Sequence, residues 1–246
     1  MPASASPSPH GGSPSIQRPD YWWYVARSQM LRTVMEPYVG SPERVLDVGS
    51  ADGPSVGWLT APAKVSLDLD PRGLRPPYGI CGSLLALPFA DESFEVVGAF
   101  DVLEHCDPEA LALAELHRVL QPGGRLLLSV PAYQWAWSGH DVANGHHRRY
   151  TRGRAVRSVR EAGFEVLRAT YGFTTVFPAF AAERAWQAVR HRAGSGPDHP
   201  ADVVELPSVS PLVERLLLRM SRLDDRALGR RDLPFGSSVF VAAARR

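Results

Sequence analysis

The stretch "VLDVGSADG", residues 45–53, places an apolar run ending in a carboxylate directly before a turn with two glycines and a second carboxylate. The run is typical of a buried β-strand, and Gly49 and Gly53 would let the backbone pass close to a ligand. Dinucleotide sites use a GxGxxG turn at this place and present a helix N-terminus to pyrophosphate. Asp47 and Asp52 would repel such a group. The stretch therefore disfavours an NAD-dependent oxidoreductase and favours a cationic ligand.

Further apolar runs follow, and their hydrophobicity is continuous rather than alternating, which is typical of strands buried on both faces of a parallel sheet. They cover residues 44–48, 64–69, 94–100 and 125–130. The second run ends in "VSLDLDP", with Asp68 placed to accept hydrogen bonds from ribose hydroxyls at a strand end. The alternative is a carboxylate that starts a turn before Pro71, and we favour that reading for Asp70.

Helical patterns separate and follow these runs. We predict helices over residues 20–38, from an Asp107 cap to "LQPGG", and from Thr151 to Gly163, followed by a strand to Ala169. The domain organisation is then a disordered leader (1–19), a core with its N-terminal helix (20–170), a helical cap or insertion (171–236) and a final strand (237–246). The segment "DPRGLRPPYGICG" is too short and too rich in proline for a full crossover helix.

Composition restricts the class of protein. With 246 residues, 44% of them hydrophobic, the chain can bury one sizeable core, and a formal net charge of +1 does not indicate a nucleic-acid partner. Two cysteines exclude a disulfide framework and a zinc site built from cysteines, and indicate reduced thiols in a cytoplasmic protein. The N-terminus lacks the basic and apolar regions of a signal peptide, and no apolar stretch reaches the about 18 residues of a spanning helix.

Five stretches in order, "VLDVGSADG", "VSLDLDP", "ALPFADESFEVVGAFDVLEH", "ELHRVLQPGGRLLLSVP" and "EAGFEV", resemble a class I SAM-dependent methyltransferase of the type 11/23 family. The resemblance covers roughly residues 43–170. It implies a Rossmann-like α/β fold: a mostly parallel seven-stranded sheet with helices on both faces, and a helical insertion before the last strand. S-adenosylmethionine (SAM), with its ammonium and sulfonium, is the cationic ligand that paired carboxylates would favour.

The family pattern implies roles at particular positions. Asp47 and the turn from Gly49 to Gly53 would hold the methionine part of SAM, and Asp68 would take the ribose hydroxyls. The predicted cofactor-binding residues are Asp47, Gly49, Ser50, Ala51, Gly53, Asp68, Leu69, Ser83, Leu84, Phe100 and Asp101. Ala51 replaces a usual glycine. Ser83 stands where many relatives have an Asp for the adenine amino group, so adenine recognition would rely more on backbone contacts.

The stretch "AYQWAWSGHDVANGHHRRYTRGR" concentrates candidate catalytic residues, because methyl transfer to a hydroxyl or ammonium requires removal of a proton and His suits that task near neutral pH. We predict His140, Asp141 and His146 as catalytic. For Arg149, the alternatives are a pair with Asp141, contact with an anionic acceptor, and a solvated side chain, which is the commoner case for arginine. Loop structure and a metal site built from His and Asp are the alternatives, and we assign no metal ligand. His105 is expected mainly to fix the loop before Asp107.

These features predict an enzyme that moves a methyl group from SAM to oxygen or nitrogen of a small or medium-sized acceptor, such as a secondary metabolite or a glycan- or lipid-linked intermediate. The alternative is a SAM-binding regulatory protein without catalysis. The apolar, then Arg-rich segment 171–192 could close over a hydrophobic acceptor or contact a membrane surface, and ordinary core packing is the preferred explanation.

Overall fold

The structure is a computed structural model that describes residues 20–49, 56–74, 77–192 and 209–246. The predicted leader, residues 1–19, lies outside these ranges, as do Ser50, Ala51 and Gly53 of the predicted cofactor turn. None of the helices in the described ranges is both long enough and apolar enough to span a membrane.

One sheet of seven strands forms the centre of the fold, in the order β3-β2-β1-β4-β5-β7-β6. The strands are β1 (Arg44–Val48), β2 (Ala63–Asp68), β3 (Gly79–Cys81), β4 (Phe94–Phe100), β5 (Leu120–Pro131), β6 (Phe164–Gly172) and β7 (Ser238–Arg245). The first five are parallel, and β7 runs antiparallel between β5 and β6. This architecture confirms the predicted mostly parallel, seven-stranded sheet.

Helices pack around the sheet: α1 (Trp22–Val39), α2 (Glu109–Val119), α3 (Gly139–Ala143), α4 (Arg152–Glu161), α5 (Phe177–Arg192) and α6 (Pro211–Leu228). Short 3₁₀ turns cover Pro71–Gly73, Leu103–His105 and Gln134–Ala136. Thr151 caps α4 by accepting a hydrogen bond from the Arg154 amide, as that Thr residue's position predicts.

The strand order reverses between β1 and β4, because the chain builds β1, β2 and β3 outward in one direction and continues with β4 on the other side of β1. In an open α/β sheet, ligands bind beyond the carboxyl ends of the strands at this switch point. The apolar runs supply the core on both faces: side chains of β1, β4 and β5, among them Leu46, Val97 and Leu127, are completely buried. The topology therefore predicts a ligand site at the edge that carries Val48, Asp68 and Phe100.

Two local predictions were wrong, and one short strand was not predicted. Asp107 does not cap α2, which begins at Glu109; its carboxylate instead accepts a hydrogen bond from Arg148 Nη2 at 2.7 Å. Strand β5 starts at Leu120 rather than Arg125, and a register shift against β4 accommodates the Pro-Gly-Gly segment. The proline-rich connection after β2 contains the short strand β3, which the pattern did not indicate.

The helices of the predicted insertion are observed as α5 and α6, and α6 packs along α1. Thr33 Oγ1 of α1 donates to Asp225 Oδ1 at 2.5 Å, and the Trp22 amide donates to Glu214 Oε1 at 3.2 Å. We expected the segment that forms α5 to pack in the core, but its Trp186 and Val189 side chains are 58% and 63% exposed. The boundaries of this insertion as a separate unit stay a prediction.

Candidate active site

The turn after β1 requires glycine at its first position. Gly49 has a φ of 76°, in the left-handed region, and its amide donates to the Leu67 carbonyl oxygen at 2.7 Å. A Cβ atom added at Gly49 would overlap the Val102 side chain. The backbone at Gly49 thus lies close to both β2 and the segment after β4, in a conformation that favours glycine.

Asp47 does not present an uncompensated charge to the crevice. Its side chain is completely buried, and Oδ2 lies 3.4 Å from Nζ of Lys64, the only lysine of the chain. Lys64 also donates to the Val56 carbonyl oxygen at 3.2 Å. The negative potential at this edge is therefore lower than the sequence suggested, because an internal cation balances much of the charge of Asp47. Its role toward a cofactor stays a prediction.

Asp68 lies at the end of β2, half-buried, and its Oδ1 accepts a hydrogen bond from the Asp70 amide at 2.9 Å. Burial raises the pKa of Asp68, and the amide bond partly offsets this effect. Asp70 caps the following 3₁₀ turn and binds Arg72, which lowers the pKa of Asp70 to about 2. Of these two acids, Asp70 thus starts the turn, as predicted, and Asp68 has a partly accessible carboxylate at the strand end.

The residues predicted to border the nucleoside lie near the same edge. Cys81, the last residue of β3, is the register partner of Asp68, and the Gly82 amide donates to the Asp68 carbonyl oxygen at 2.9 Å. Leu69 is 73% exposed and Leu84 is buried. Ser83 Oγ accepts a hydrogen bond from the Leu85 amide at 3.1 Å, so this hydroxyl is used to shape its own turn.

A network of three polar side chains closes the end of β4. Asp101 has a φ of 56°, an uncommon value for a residue other than glycine. Arg27 Nη2, from α1, donates to Asp101 Oδ2 at 2.7 Å and to Ser129 Oγ at 2.8 Å. Ser129 Oγ in turn donates to Asp101 Oδ1 at 3.0 Å. Arg27 is buried and its guanidinium lies over the Trp23 ring, so α1 takes part in building this edge. Phe100, just before Asp101, is buried.

Asp141 is the centre of the histidine loop. It is completely buried and receives hydrogen bonds from Arg149 Nε at 2.7 Å, Arg149 Nη2 at 3.1 Å and the Ser138 amide at 2.9 Å. His146 Nδ1 lies 2.8 Å from Asp141 Oδ1. Burial alone would raise the pKa of Asp141, but the hydrogen bonds from His146 and Arg149 lower it well below its usual range. Arg149 thus pairs with Asp141, which is one of the alternatives that the sequence left open, and it is not a solvated arginine.

The histidine loop is tied to the segment after β4. The His147 amide donates to the Glu104 carbonyl oxygen at 2.8 Å, and the rings of His105 and His146 meet edge to face with centroids 4.6 Å apart. Partial desolvation, followed by the neighbouring His146, lowers the pKa of His105. His140 is exposed, and its ring centroid is 6.4 Å from that of His146. The structure thus brings His105, His140, Asp141 and His146 together beside β4.

Sequence reasoning missed two members of this neighbourhood. Glu104 is only 1% exposed, and neither of its carboxylate oxygens has a hydrogen-bond partner among the described residues. Burial and the charge of Asp101 raise the pKa of Glu104 well above its ordinary value. Arg27 gave no signal, because it lies in a helix far from the motifs along the chain. Glu104 was visible only as the acidic residue next to His105 in "DVLEH".

Aromatic side chains line the region beyond the end of β5. Tyr133 has a φ of 62° and stacks between Trp135 and Tyr171, with centroid distances of 5.8 and 5.4 Å. Phe177 of α5 contacts Tyr133, Trp135 and Phe235. Trp135 and Phe235 are 56% and 40% exposed, so this cluster offers an apolar surface to solvent. The start of α5 is thereby packed against the core, in agreement with the preferred explanation for this segment.

The reversal of strand order, the Gly49 turn and the acid at the end of β2 together define a class I, Rossmann-like methyltransferase fold. Residues 46–128 match the family model of a methyltransferase domain. This match and the fold support a class I SAM-dependent methyltransferase domain, and SAM is the cofactor that this family uses, as the sequence predicts.

Three similar proteins illustrate the match. An uncharacterized methyltransferase of Mycobacterium tuberculosis is 30% identical over 183 residues, which are 68% of this chain and 66% of that protein. A malonyl-[acyl-carrier protein] O-methyltransferase of Herminiimonas arsenicoxydans is 40% identical over 94 residues, 35% of this chain and 36% of that protein. A crystal structure of the 1,6-didemethyltoxoflavin-N1-methyltransferase of Burkholderia thailandensis, with that compound and S-adenosylhomocysteine bound, has a TM-score of 0.52 at 15% identity, and covers 94% of this chain and 83% of that one. The chain spans less than two thirds of the length of these two curated relatives.

Proposed function

We propose that this chain is an enzyme that transfers the methyl group of SAM to oxygen or nitrogen of a small or medium-sized acceptor, such as a secondary metabolite or a glycan- or lipid-linked intermediate. The observation that carries the proposal is the contact of the histidine loop with the segment after β4, through the hydrogen bond from the His147 amide to Glu104. The contact supports the proposal because the His–Asp pair then lies close to the end of β4, where the family pattern would put the methionyl part of SAM.

The proposed cofactor half of the site uses the edge formed by β1, β2 and β4. The Gly49 turn gives the close backbone approach, and Asp68 accepts hydrogen bonds from the ribose hydroxyls. Ser83 and Leu84 border the adenine, and Phe100 and Asp101 flank the methionyl side. Asp68 suits its role because one carboxylate oxygen is already oriented by the Asp70 amide.

The proposed acceptor half uses His146. In the tautomer that donates Nδ1–H to Asp141, the other nitrogen, Nε2, is a hydrogen-bond acceptor. It can take a proton from a hydroxyl or ammonium group of the acceptor, and the oxygen or nitrogen then acts as the nucleophile. Asp141 acts through His146 as a positioning residue, since it is buried and already bound by Arg149 and Ser138. Methyl transfer is an in-line displacement, so the remaining task is to orient the nucleophile toward the methyl group.

The exposed aromatic cluster of Tyr133, Trp135, Phe177 and Phe235 supports an acceptor with an apolar or aromatic part, because such a surface binds apolar groups and the neighbouring polar loop would orient the reacting atom. We place the enzyme in the cytoplasm. Both cysteines are free thiols, which agrees with a reducing compartment.

The test has two stages. Calorimetry with SAM and S-adenosylhomocysteine must show saturable binding, and its absence in folded protein would refute the proposal. Turnover is then measured with radiolabelled SAM across a panel of hydroxylated and amine acceptors. His146→Gln is expected to lower kcat by about 10²- to 10⁴-fold and to leave cofactor affinity unchanged, whereas His117→Gln, on the Phe164 ring, serves as the matched control. Cofactor binding without turnover on any acceptor would favour the regulatory alternative.

A further inference from the structure

The most unusual buried group in the described ranges is Glu104. Its side chain is 1% exposed, and neither oxygen has a hydrogen-bond partner there. A buried carboxylate is normally hydrogen-bonded, paired with a cation or bound to a metal, because burial without compensation is costly. The nearby arginines do not pair with it: Arg27 is bound to Asp101, and Arg149 to Asp141. Glu104 is therefore the carboxylate left over when these two ion pairs are formed.

Two imidazoles stand beside this carboxylate. One ligand atom from each of Glu104, His105 and His146 can be chosen so that all three lie within 4.8 Å of one another. For any three atoms this close together, there is a point that lies within about 2.8 Å of all of them. Zinc binds His nitrogen and carboxylate oxygen at about 2.0–2.2 Å, so each donor atom needs to move inward by less than about 1 Å.

The surroundings of His146 match those of a metal ligand. A metal-bound His usually donates its other ring N–H to a carboxylate, which fixes the ring orientation and raises the basicity of the ligating nitrogen. His146 Nδ1 is 2.8 Å from the buried carboxylate of Asp141, and this leaves Nε2 for the metal. Asp141 is in turn held by Arg149 and Ser138, so its position does not depend on His146.

From these observations we propose that Glu104, His105 and His146 form a binding site for a divalent transition metal ion of the zinc class, at the carboxyl end of β4. Two imidazoles and one carboxylate are the donors that such ions prefer, whereas Mg²⁺ prefers oxygen ligands alone. Three protein ligands leave a coordination position open, and His105 is exposed, so this position can face solvent or a bound molecule.

The proposal of a metal site depends on the positions of these side chains and does not require that the protein transfers methyl groups. Only its use in catalysis rests on the proposed function: there, the metal would bind the acceptor oxygen and lower the pKa of its hydroxyl. Metal binding and proton acceptance by His146 exclude each other, because both use Nε2. Activity measured before and after chelation, once an acceptor is known, decides between these two roles.

The test measures Zn²⁺ binding alone, by calorimetry and by metal analysis after dialysis, on the full chain freed of any affinity tag and treated with chelator. A Cys81→Ser background removes the exposed thiol as a competing ligand. We expect one Zn²⁺ per chain, with Mg²⁺ unable to displace it. His105→Gln, His146→Gln and Glu104→Gln should each weaken binding by more than about 100-fold, because losing a residue that only orients a metal ligand typically costs about 10- to 100-fold.

His140→Gln is the matched control, because this exposed His lies in the same loop outside the three-residue set, and it should retain full affinity. Circular dichroism and thermal unfolding without metal verify that each variant is folded; His105→Gln alters only an exposed side chain and is expected to pass. The proposal is overturned if the folded parent protein does not bind Zn²⁺ saturably, or if His105→Gln and Glu104→Gln bind as tightly as the parent. No SAM is present, so this result is separate from a failure of methyl transfer.

Discussion

Replacing Arg149 with Met is expected to lower the free energy of unfolding by about 3 kcal/mol. The guanidinium donates two hydrogen bonds to Asp141 at 2.7 and 3.1 Å, both side chains are at least 94% buried, and Arg149 Nη1 also reaches the Ala132 carbonyl oxygen at 3.3 Å. Removing one partner of a buried pair costs about 3–5 kcal/mol, because the other charge stays buried without compensation. The lower end applies because Ser138 and His146 still bind the carboxylate.

For a chain of this length, 1 kcal/mol corresponds to about 2–4 °C in Tm, so the Arg149→Met variant should unfold about 6–12 °C below the parent. Urea unfolding followed by tryptophan fluorescence gives the free energy, and differential scanning calorimetry gives Tm. The matched control is Arg32→Met, whose partner Glu36 forms an exposed pair on α1, and it should leave stability nearly unchanged because water screens an exposed pair.

The physical reason is tested by a double variant. If the loss comes from the uncompensated charge, adding Asp141→Asn to Arg149→Met should recover part of the stability, because the second change removes that charge. The reasoning is refuted if Arg149→Met costs no more than the control on α1, or if the double variant is less stable than Arg149→Met alone.

Three further outcomes are expected. Gly49→Ala should lower stability by at least about 1 kcal/mol in urea unfolding, because φ is 76° and the new methyl group overlaps Val102; an unchanged midpoint would contradict this. Asp68→Ala should weaken S-adenosylhomocysteine binding by about 10- to 150-fold in calorimetry, which corresponds to about 1.5–3 kcal/mol for hydrogen bonds to a charged group. Equal affinity of parent and variant would show that Asp68 does not bind the ribose. Asp224, buried on α6 and bonded to Thr175, has a pKa raised by burial, so the folded state binds its proton more tightly than the unfolded state. The stability that Asp224 contributes therefore falls as pH rises from about 4 through the raised pKa. In urea unfolding across this pH range, the Asp224→Asn variant should lack this pH-dependent loss of stability. A difference in stability between parent and variant that does not change with pH would contradict the prediction.

The sheet could be predicted from the sequence where hydrophobicity was continuous over five or more residues. The runs at 44–48 and 94–100 became β1 and β4 with the same bounds. Strand β3, Gly79–Cys81, was missed because three residues after a proline-rich segment carry no period, and its pairing with β2 is a tertiary effect. The start of β5 was misplaced for a related reason: Pro122 and two glycines look like a turn, and only the pairing of Leu120 with Phe94 extends the strand through them.

The candidate site was likewise predictable from the sequence only where its residues are neighbours along the chain. His140, Asp141 and His146 could be predicted as a group because they are neighbours in sequence, and α3 with its Ser138 cap brings Asp141 and His146 into contact. The Asp47–Lys64 pair depends on the register of β1 against β2, which no local pattern shows. From the sequence, Asp47 looks like a charge without a partner, so the predicted negative potential at the edge was too high.

The network around Asp101 explains why the N-terminal helix belongs to the site rather than only to the core. A left-handed backbone at a residue other than glycine persists only where the surroundings hold it, and Arg27 and Ser129 supply three polar contacts to or around Asp101. Arg27 can reach Asp101 only because α1 is fixed, and α6 fixes α1 through Asp225 and Glu214. We therefore expect that a change in the packing of α6 would shift Arg27 and weaken the contacts that hold Asp101, so the segment predicted as a cap would also stabilise the candidate site.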